Sequence, residues 1–272
     1  MAQKISNEIE QQICQLYGDG SGTNEIAKLF NLNRSTVQKI LIRNNLKLRK
    51  TSPYKKKYNV HYFDEYNDEN CYWAGFILAD GCIRTDRDAV EIHLQEGDKD
   101  HLLKFAKAIS FTGELVYDKY SHAYSISVAG KWFPEALKKN FGIEGRKSLT
   151  TMFPKQVPLK YYNSLIRGIF DGDGSISTHI TQYSNIPQMS IVGTLDLVDN
   201  IRHIFYDWGV RLKTKANEIP PIIQCTTTGM GYVALSGKNA NLILKKLYEN
   251  STDEVRLLRK YNMFMEHTIK YE

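Results

Sequence analysis

Two ten-residue stretches decide how this chain folds: YWAGFILADG, from Tyr72 to Gly81, and LIRGIFDGDG, from Leu165 to Gly174. Aligned position by position, both carry a glycine (Gly75, Gly168), a small residue four further on (Ala79, Gly172), and a final Asp-Gly. On a helix, residues four apart share a face. Small side chains there let two helices approach closely, whereas a Leu at any of the four would hold the backbones apart. If the two stretches pack on one another, Asp80 and Asp173 arrive together at the same end. Two carboxylates so placed repel unless divalent cations are shared between them. Oxygen ligands on a constrained frame, completed by water and phosphate, suit Mg²⁺. An EF-hand loop counted from Asp171 is ruled out, because its twelfth position, where a bidentate Glu belongs, is Gln182.

The duplication extends beyond these stretches. Each copy continues with alternating strands, a helix (about 98–111; 195–208), a hairpin ending in YSISVAGK (124–131) or YVALSGK (232–238), and another helix (132–141; 239–250). Each then reaches a dibasic pair, Arg146-Lys147 and Arg259-Lys260. The second copy is the longer, and its excess falls in loops, where insertion costs little. Two copies of one αββαββ-type half imply a pseudo-twofold body and favour a monomer.

Composition narrows the function classes. With 42% apolar, 11% aromatic and 24% charged residues over 272 positions, the chain can bury a core. The apolar run Trp73–Ala79 is far shorter than the roughly 20 residues that cross a bilayer. The opening MAQKISNEIEQQ has no apolar signal segment, so the chain is expected in a reducing compartment, a bacterial or phage-type cytoplasm or an organelle matrix, and not secreted. Cys14, Cys71, Cys82 and Cys225 form no C-x-x-C pair and read as buried or idle thiols. Charge is uneven: residues 1–60 hold 11 Lys/Arg against 4 Asp/Glu, leaving 25 against 26 for the rest. A small basic unit joined to a near-neutral body points to a polyanion, most often nucleic acid.

That unit reads as three helices. Ile5, Ile9, Ile13 and Leu16 share one face; GDGSG (18–22) breaks the chain; Thr23 or Asn24 caps a second helix with Ile26, Ala27, Leu29 and Phe30. Asn31-Leu32-Asn33 makes a tight turn before a third helix, about 34–44, with Val37, Ile40 and Leu41 inward. Arg34, Ser35, Thr36, Gln38 and Lys39 then face outward, where such a helix meets the major groove. The stretch IAKLFNLNRSTVQKIL (26–41) resembles the helix-turn-helix of DNA invertases and resolvases. Beyond it, Lys47, Arg49, Lys50, Lys55, Lys56 and Lys57 surround one Pro in an extended linker able to follow phosphates.

WAGFILADG (73–81) and IRGIFDGDG (166–174) resemble the two signatures of LAGLIDADG homing endonucleases in their single-chain form. GRKS (145–148), FP (153–154) and LLRK (257–260) extend the likeness over about 68–268. The resemblance implies an α+β fold: duplicated αββαββα halves, signature helices at the central interface, and two antiparallel sheets forming a pseudo-twofold saddle on the major groove, plus the all-α amino-terminal domain. The expected domains are 1–48, a basic linker 49–67, a first half 68–158 and a second 159–272. By the match, Asp80 and Asp173 bind metal at the scissile phosphate, with the carbonyls of Ala79 and Gly172 as helpers, and Lys147 and Lys260 are the basic catalytic residues. Trp73, Leu78 and Arg167 depart from the usual Leu, Asp and Ala of the signatures.

The expected reaction is Mg²⁺-dependent hydrolysis of both strands of a long double-stranded DNA target. Mn²⁺ is expected to substitute, and Ca²⁺ to bind without supporting cleavage. Lys147 and Lys260 would offset charge on the phosphoryl oxygens or assist the water. His93 and Gln95 share a strand face and could order water. Base recognition is assigned to outward strand residues: Arg84, Arg87, Glu91, His93 and Gln95 in the first half, and Thr178, Gln182, Gln188, Lys213 and Lys215 in the second. The competing readings are a transcription regulator that keeps the fold only for binding, and an intron RNA maturase.

Overall fold

A computed structural model describes residues 5–18, 21–48, 58–145, 150–180, 185–212, 218–224 and 229–268. Contacts divide the chain into two units, Met1–Lys55 and Lys56–Glu272, each with its own apolar core.

The first unit is three helices, α1 (Asn7–Gly18), α2 (Thr23–Leu29) and α3 (Arg34–Arg43). Ile13, Ile26, Val37, Ile40 and Leu41 form its core as their spacing predicts. One expectation needs correction. Thr23 and Asn24 lie inside α2, and the cap position is Gly22, whose N–H donates to the Glu25 carboxylate at 3.1 Å. Leu29 is 68% exposed, because α2 ends at it and the chain turns away through Asn31 at a left-handed φ of 51°.

The second unit is built twice. The first copy runs α4 (Asp68–Asp80), β1 (Gly81–Arg84), β2 (Ala89–Gln95), α5 (Lys99–Ala108), β3 (Val116–Asp118), β4 (Ala123–Ala129) and α6 (Trp132–Phe141). The second runs α7 (Tyr162–Asp173), β5 (Gly174–Ile180), β6 (Asn185–Thr194), α8 (Leu195–Asp207), β7 (Ile223–Gln224), β8 (Met230–Ser236), α9 (Gly237–Tyr248) and α10 (Leu258–Thr268). The sheets are antiparallel and share one topology, β1-β2-β4-β3 and β5-β6-β8-β7. No helix among the described residues is long and apolar enough to cross a membrane.

The signature helices form the middle of the core. Every residue of α4 from Asn70 to Leu78 is buried, as is every residue of α7 from Ser164 to Asp171. The Cys71–Leu78 stretch of α4 is apolar on all sides and so must be surrounded, whereas α7 takes Arg167 and Asp171 into the core with it. Asn67 and Asn70 cap α4 reciprocally, the Asn70 N–H donating to Asn67 Oδ1 at 2.8 Å and the Asn67 N–H to Asn70 Oδ1 at 2.9 Å. Part of the segment read as linker belongs to this core: Tyr58, Val60 and Phe63 are buried, with Phe63 packed edge-on against Phe133 and Phe141.

Candidate active site

The closeness of α4 and α7 follows from their glycines. A Cβ added to Gly75 would lie 3.0 Å from the Leu165 carbonyl carbon and 3.1 Å from Ile169 N. One added to Gly168 would lie 2.7 Å from Phe76 N. Backbone cannot rotate aside, so hydrogen is the side chain that both crossings admit. At the carboxyl-terminal end the same approach continues, since a Cβ on Gly172 would sit 3.4 Å from Asp80 Cγ. The Asp80 carboxyl thus lies beside the residue preceding Asp173. Neither helix has a loop after its aspartate, because β1 starts at Gly81 and β5 at Gly174. Asp80 is exposed and Asp173 half-buried, and Asp173 lines a cavity of about 220 Å³ together with Leu78, Ala79 and Gly81.

Lys260, in the first turn of α10, reaches the same place. Its Nζ donates to the carbonyls of Phe170 at 2.7 Å and Gly172 at 3.0 Å, and the residue is 5% exposed. Burial pushes its ammonium down to about 8, against the pull of Asp171, Asp80 and Asp173. The Gly172 carbonyl, assigned from sequence as a metal helper, therefore already has one lone pair engaged. Lys147 lies outside the described residues.

A polar cluster not foreseen from sequence underlies these groups. Asp171 is 1% exposed and accepts three hydrogen bonds: Tyr72 Oη at 2.8 Å, Tyr248 Oη at 2.7 Å and the Leu257 N–H at 2.8 Å. Burial raises its carboxyl, and those donors oppose the shift. Tyr72 Oη also meets His101 Nε2 at 2.9 Å. Since Tyr72 spends its proton on Asp171, His101 must donate. Burial, helped by the Lys104 ammonium, pushes the His101 imidazole down to about 3, so it is neutral. Arg167, a departure from the signature, is 3% exposed and donates to the carbonyls of Val255 at 2.8 Å and Leu247 at 2.9 Å. Trp73, another departure, is fully buried against His101 and Phe105. The signal available for Asp171 was the first carboxylate of DGD, matched in the first copy by the buried Leu78.

The sheets place the remaining assigned residues. Facing partners in an antiparallel pair share a side of the sheet, so the registers Cys82↔Glu91 and Arg84↔Ala89 put Arg84, Glu91, His93 and Gln95 on the outer face. His93 and Gln95 are exposed there. Glu91 is 6% exposed, because the Arg87 guanidinium at 2.5 Å and Ser127 Oγ at 3.0 Å cover its Oε1. Arg84 forks onto Asp86 with two bonds of 2.9 Å. In the second sheet Gln188 is exposed and faces Ser177 and Ser236. Thr178 is a correction: it shares parity with the buried Ile176 and lies opposite the buried Pro187, so it points inward. The outward residues of β5 are Ser175, Ser177 and His179. Cys71 is buried and Cys82 exposed, and both are free thiols.

In the first unit Arg34, Ser35 and Lys39 are exposed and Thr36 and Gln38 half-buried on α3. Arg49, Lys50, Lys55, Lys56, Lys57, Gln182, Lys213 and Lys215 lie outside the described residues. Among the described residues no cluster of three or more His, Cys, Asp or Glu forms a metal cage. Two carboxylates at adjoining helix ends are a hard, incomplete donor set, which fits a hard divalent cation completed by water and phosphate oxygens.

No family model matches the sequence, and no curated protein matches it. Among solved structures, the I-LtrWI LAGLIDADG homing endonuclease bound to target DNA is 9% identical, covering 79% of this chain and 92% of that one at a TM-score of 0.51. The LAGLIDADG homing endonuclease I-GzeII in complex with its DNA target is 11% identical, with coverages of 76% and 94% and a TM-score of 0.48. I-SmaMI bound to an uncleaved DNA target with calcium is 10% identical, with coverages of 75% and 91% and a TM-score of 0.47. The likeness to I-LtrWI, together with the twin sheet orders and the packed signature helices, shows the fold: this chain has the LAGLIDADG homing-endonuclease fold in its single-chain, duplicated form.

Proposed function

We propose that the protein is a sequence-specific DNA endonuclease that hydrolyses one phosphodiester in each strand of a double-stranded target. The observation that carries this reading is the meeting of Asp80 and Asp173 at the ends of two helices that nothing but glycine allows so close, with Lys260 bonded beside them. A regulator that only binds DNA has no use for paired carboxylates facing phosphate.

Asp80 and Asp173 would hold a divalent cation, Mg²⁺ in this reading. When bound, the cation lowers the pKa of water and stabilises the attacking and leaving oxygens. Lys260, fixed by two carbonyls, offsets charge growing on the phosphoryl oxygens or takes a proton from the attacking water. Lys147 is its counterpart in the sequence of the first copy. The outer faces of both sheets lie against the duplex. Gln188 offers an amide that can pair with adenine, and Arg84 and Arg87 arrive already oriented by Asp86 and Glu91.

The amino-terminal unit acts as a helix-turn-helix, laying Arg34, Ser35 and Lys39 of α3 along the major groove and lengthening the site through effective concentration. The basic segment from Arg49 to Lys57 follows phosphates. The protein works as a monomer on an intron-homing type of target, and the I-SmaMI complex with calcium and uncleaved DNA offers the parallel for Ca²⁺ binding without reaction.

The test is a randomised duplex library incubated with the protein in Mg²⁺ and, separately, in Ca²⁺. Double-strand breaks in Mg²⁺ with binding alone in Ca²⁺ are expected. Tight binding in both ions without a cut would replace the nuclease reading with the regulator.

A further inference from the structure

We propose that Asp171 is the positioning residue for Lys260, and that it makes the two halves of the active site unequal. The proposal rests on the reading of Lys260 as catalytic. Its basis is a set of contacts that converge on one buried carboxylate from three elements.

Asp171 Oδ2 accepts from the Leu257 N–H at 2.8 Å, immediately before α10 begins at Leu258. The first amides of a helix have no intrahelical acceptor, so a carboxylate there fixes where the helix starts and complements its dipole. Three residues on, Lys260 Nζ bonds the carbonyls of Phe170 and Gly172, the two residues flanking Asp171. One short stretch of α7 therefore holds both ends of the Leu257–Lys260 turn, by side chain at one end and backbone at the other.

Asp171 is itself held from both halves. Tyr248 Oη, from α9, reaches Oδ1 at 2.7 Å; Tyr72 Oη, from α4 of the first copy, reaches Oδ2 at 2.8 Å and is oriented in turn by His101 Nε2 at 2.9 Å. Arg259 adds a tie from the same turn to the first copy, donating to Asp98 at 3.0 Å. The copies differ at this node. The residue aligned with Asp171 is Leu78, which has no polar atom in its side chain to cap anything. Among the described residues, this brace is seen at Lys260 alone.

Two measurements test it. In metal-free protein without DNA, amide exchange over Leu257–Lys260 should be about tenfold or more faster in Asp171→Leu, which copies Leu78, than in wild type, since a buried N–H loses its acceptor. Single-turnover cleavage is then followed strand by strand, with the strand that depends on Lys260 identified by Lys260→Met. Asp171→Leu should slow that strand by about a hundredfold, in the range expected for a misplaced catalytic group. The other strand and DNA affinity in Ca²⁺ should stay within about twofold. If Asp171→Leu fails to fold, the isosteric Asp171→Asn and the more remote Tyr248→Phe should show the same strand bias with smaller size. Equal slowing of both strands, or unchanged exchange at Leu257, would overturn the positioning role. Lys260→Met that slows both strands alike, or neither, would overturn the catalytic reading of Lys260.

Discussion

The two copies keep the same bones and different polar chemistry. Both have a glycine crossing, an aspartate where helix becomes strand, and the same strand order. Around that frame they diverge. Ala74 and Leu78 of the first signature are matched by Arg167 and Asp171 in the second, where two charges are buried and satisfied. The sheets diverge in the opposite sense. The outer face of the first carries Arg84, Glu91 and His93, with Arg84 and Glu91 already paired among neighbours, whereas the second presents Ser175, Ser177, His179, Gln188, Ser190 and Tyr232, with no Lys, Arg, Asp or Glu among these described residues. Duplication conserves what geometry forces at the shared axis and leaves free what each copy does away from it.

The frame should fail symmetrically. Gly75→Val and Gly168→Val each drive a side chain into the other helix's backbone, and each should cost more than about 3 kcal/mol, the upper range of overpacking. Equal losses in chemical denaturation are expected; a large loss in one copy alone would break the symmetry of the crossing.

The polar positions should fail asymmetrically. Arg167→Leu leaves the carbonyls of Leu247 and Val255 without their donor and should cost about 2–3 kcal/mol, while Ala74→Ser at the matched position should cost less than about 1.5 kcal/mol. Similar losses from both would contradict the difference drawn here.

His101 gives the comparison a pH dependence. Its folded value of about 3 lies below the ordinary 6.5 of an unfolded chain, so the unfolded state takes up the proton first. The neutral imidazole's contribution is intact above pH 6.5 and is lost as pH falls toward 3, by about 1.4 kcal/mol per pH unit. Denaturation between pH 7 and 5 should show this slope in wild type and a flatter one in His101→Gln. Identical slopes would mean that the folded imidazole takes up its proton over the same pH range as the unfolded one.

The smallest contrast lies on the sheets. Glu91→Ala strands Arg87 and Ser127 and should cost about 1 kcal/mol, while Ser190→Ala removes one cross-strand hydroxyl pair, Ser175 with Ser190 at 2.8 Å, and should cost less than about 0.5 kcal/mol. A reversed order would show that the hydroxyl face, and not the charged one, is the built-in network.

The frame was legible in the sequence because it is periodic and written twice. The glycine spacing placed Asp80 and Asp173 together, and the alternation of β1 and β2 put His93 and Gln95 outward. What escaped was set by packing across elements. Lys260 reads as one basic residue in LLRK, and its burial comes from α10 docking on the end of α7. Thr178 was assigned to the wrong face because the phase of β5 is fixed by its abrupt start at Gly174, which sends Ile176 inward and Thr178 with it. Glu91 sits on the face its parity predicts, yet Arg87 four residues earlier folds over it. Tyr58 and Phe63 follow a run of lysines, Lys55 to Lys57, whose composition made the whole of 49–67 read as a linker.

Strand-resolved cleavage of a selected target in Mg²⁺ by Asp80→Asn, Asp173→Asn and the double variant tests most directly whether the joined helix ends form the reacting centre. Loss of cutting by the double variant, with DNA affinity in Ca²⁺ retained, is the predicted result. A double variant that still breaks both strands at the wild-type rate would contradict it.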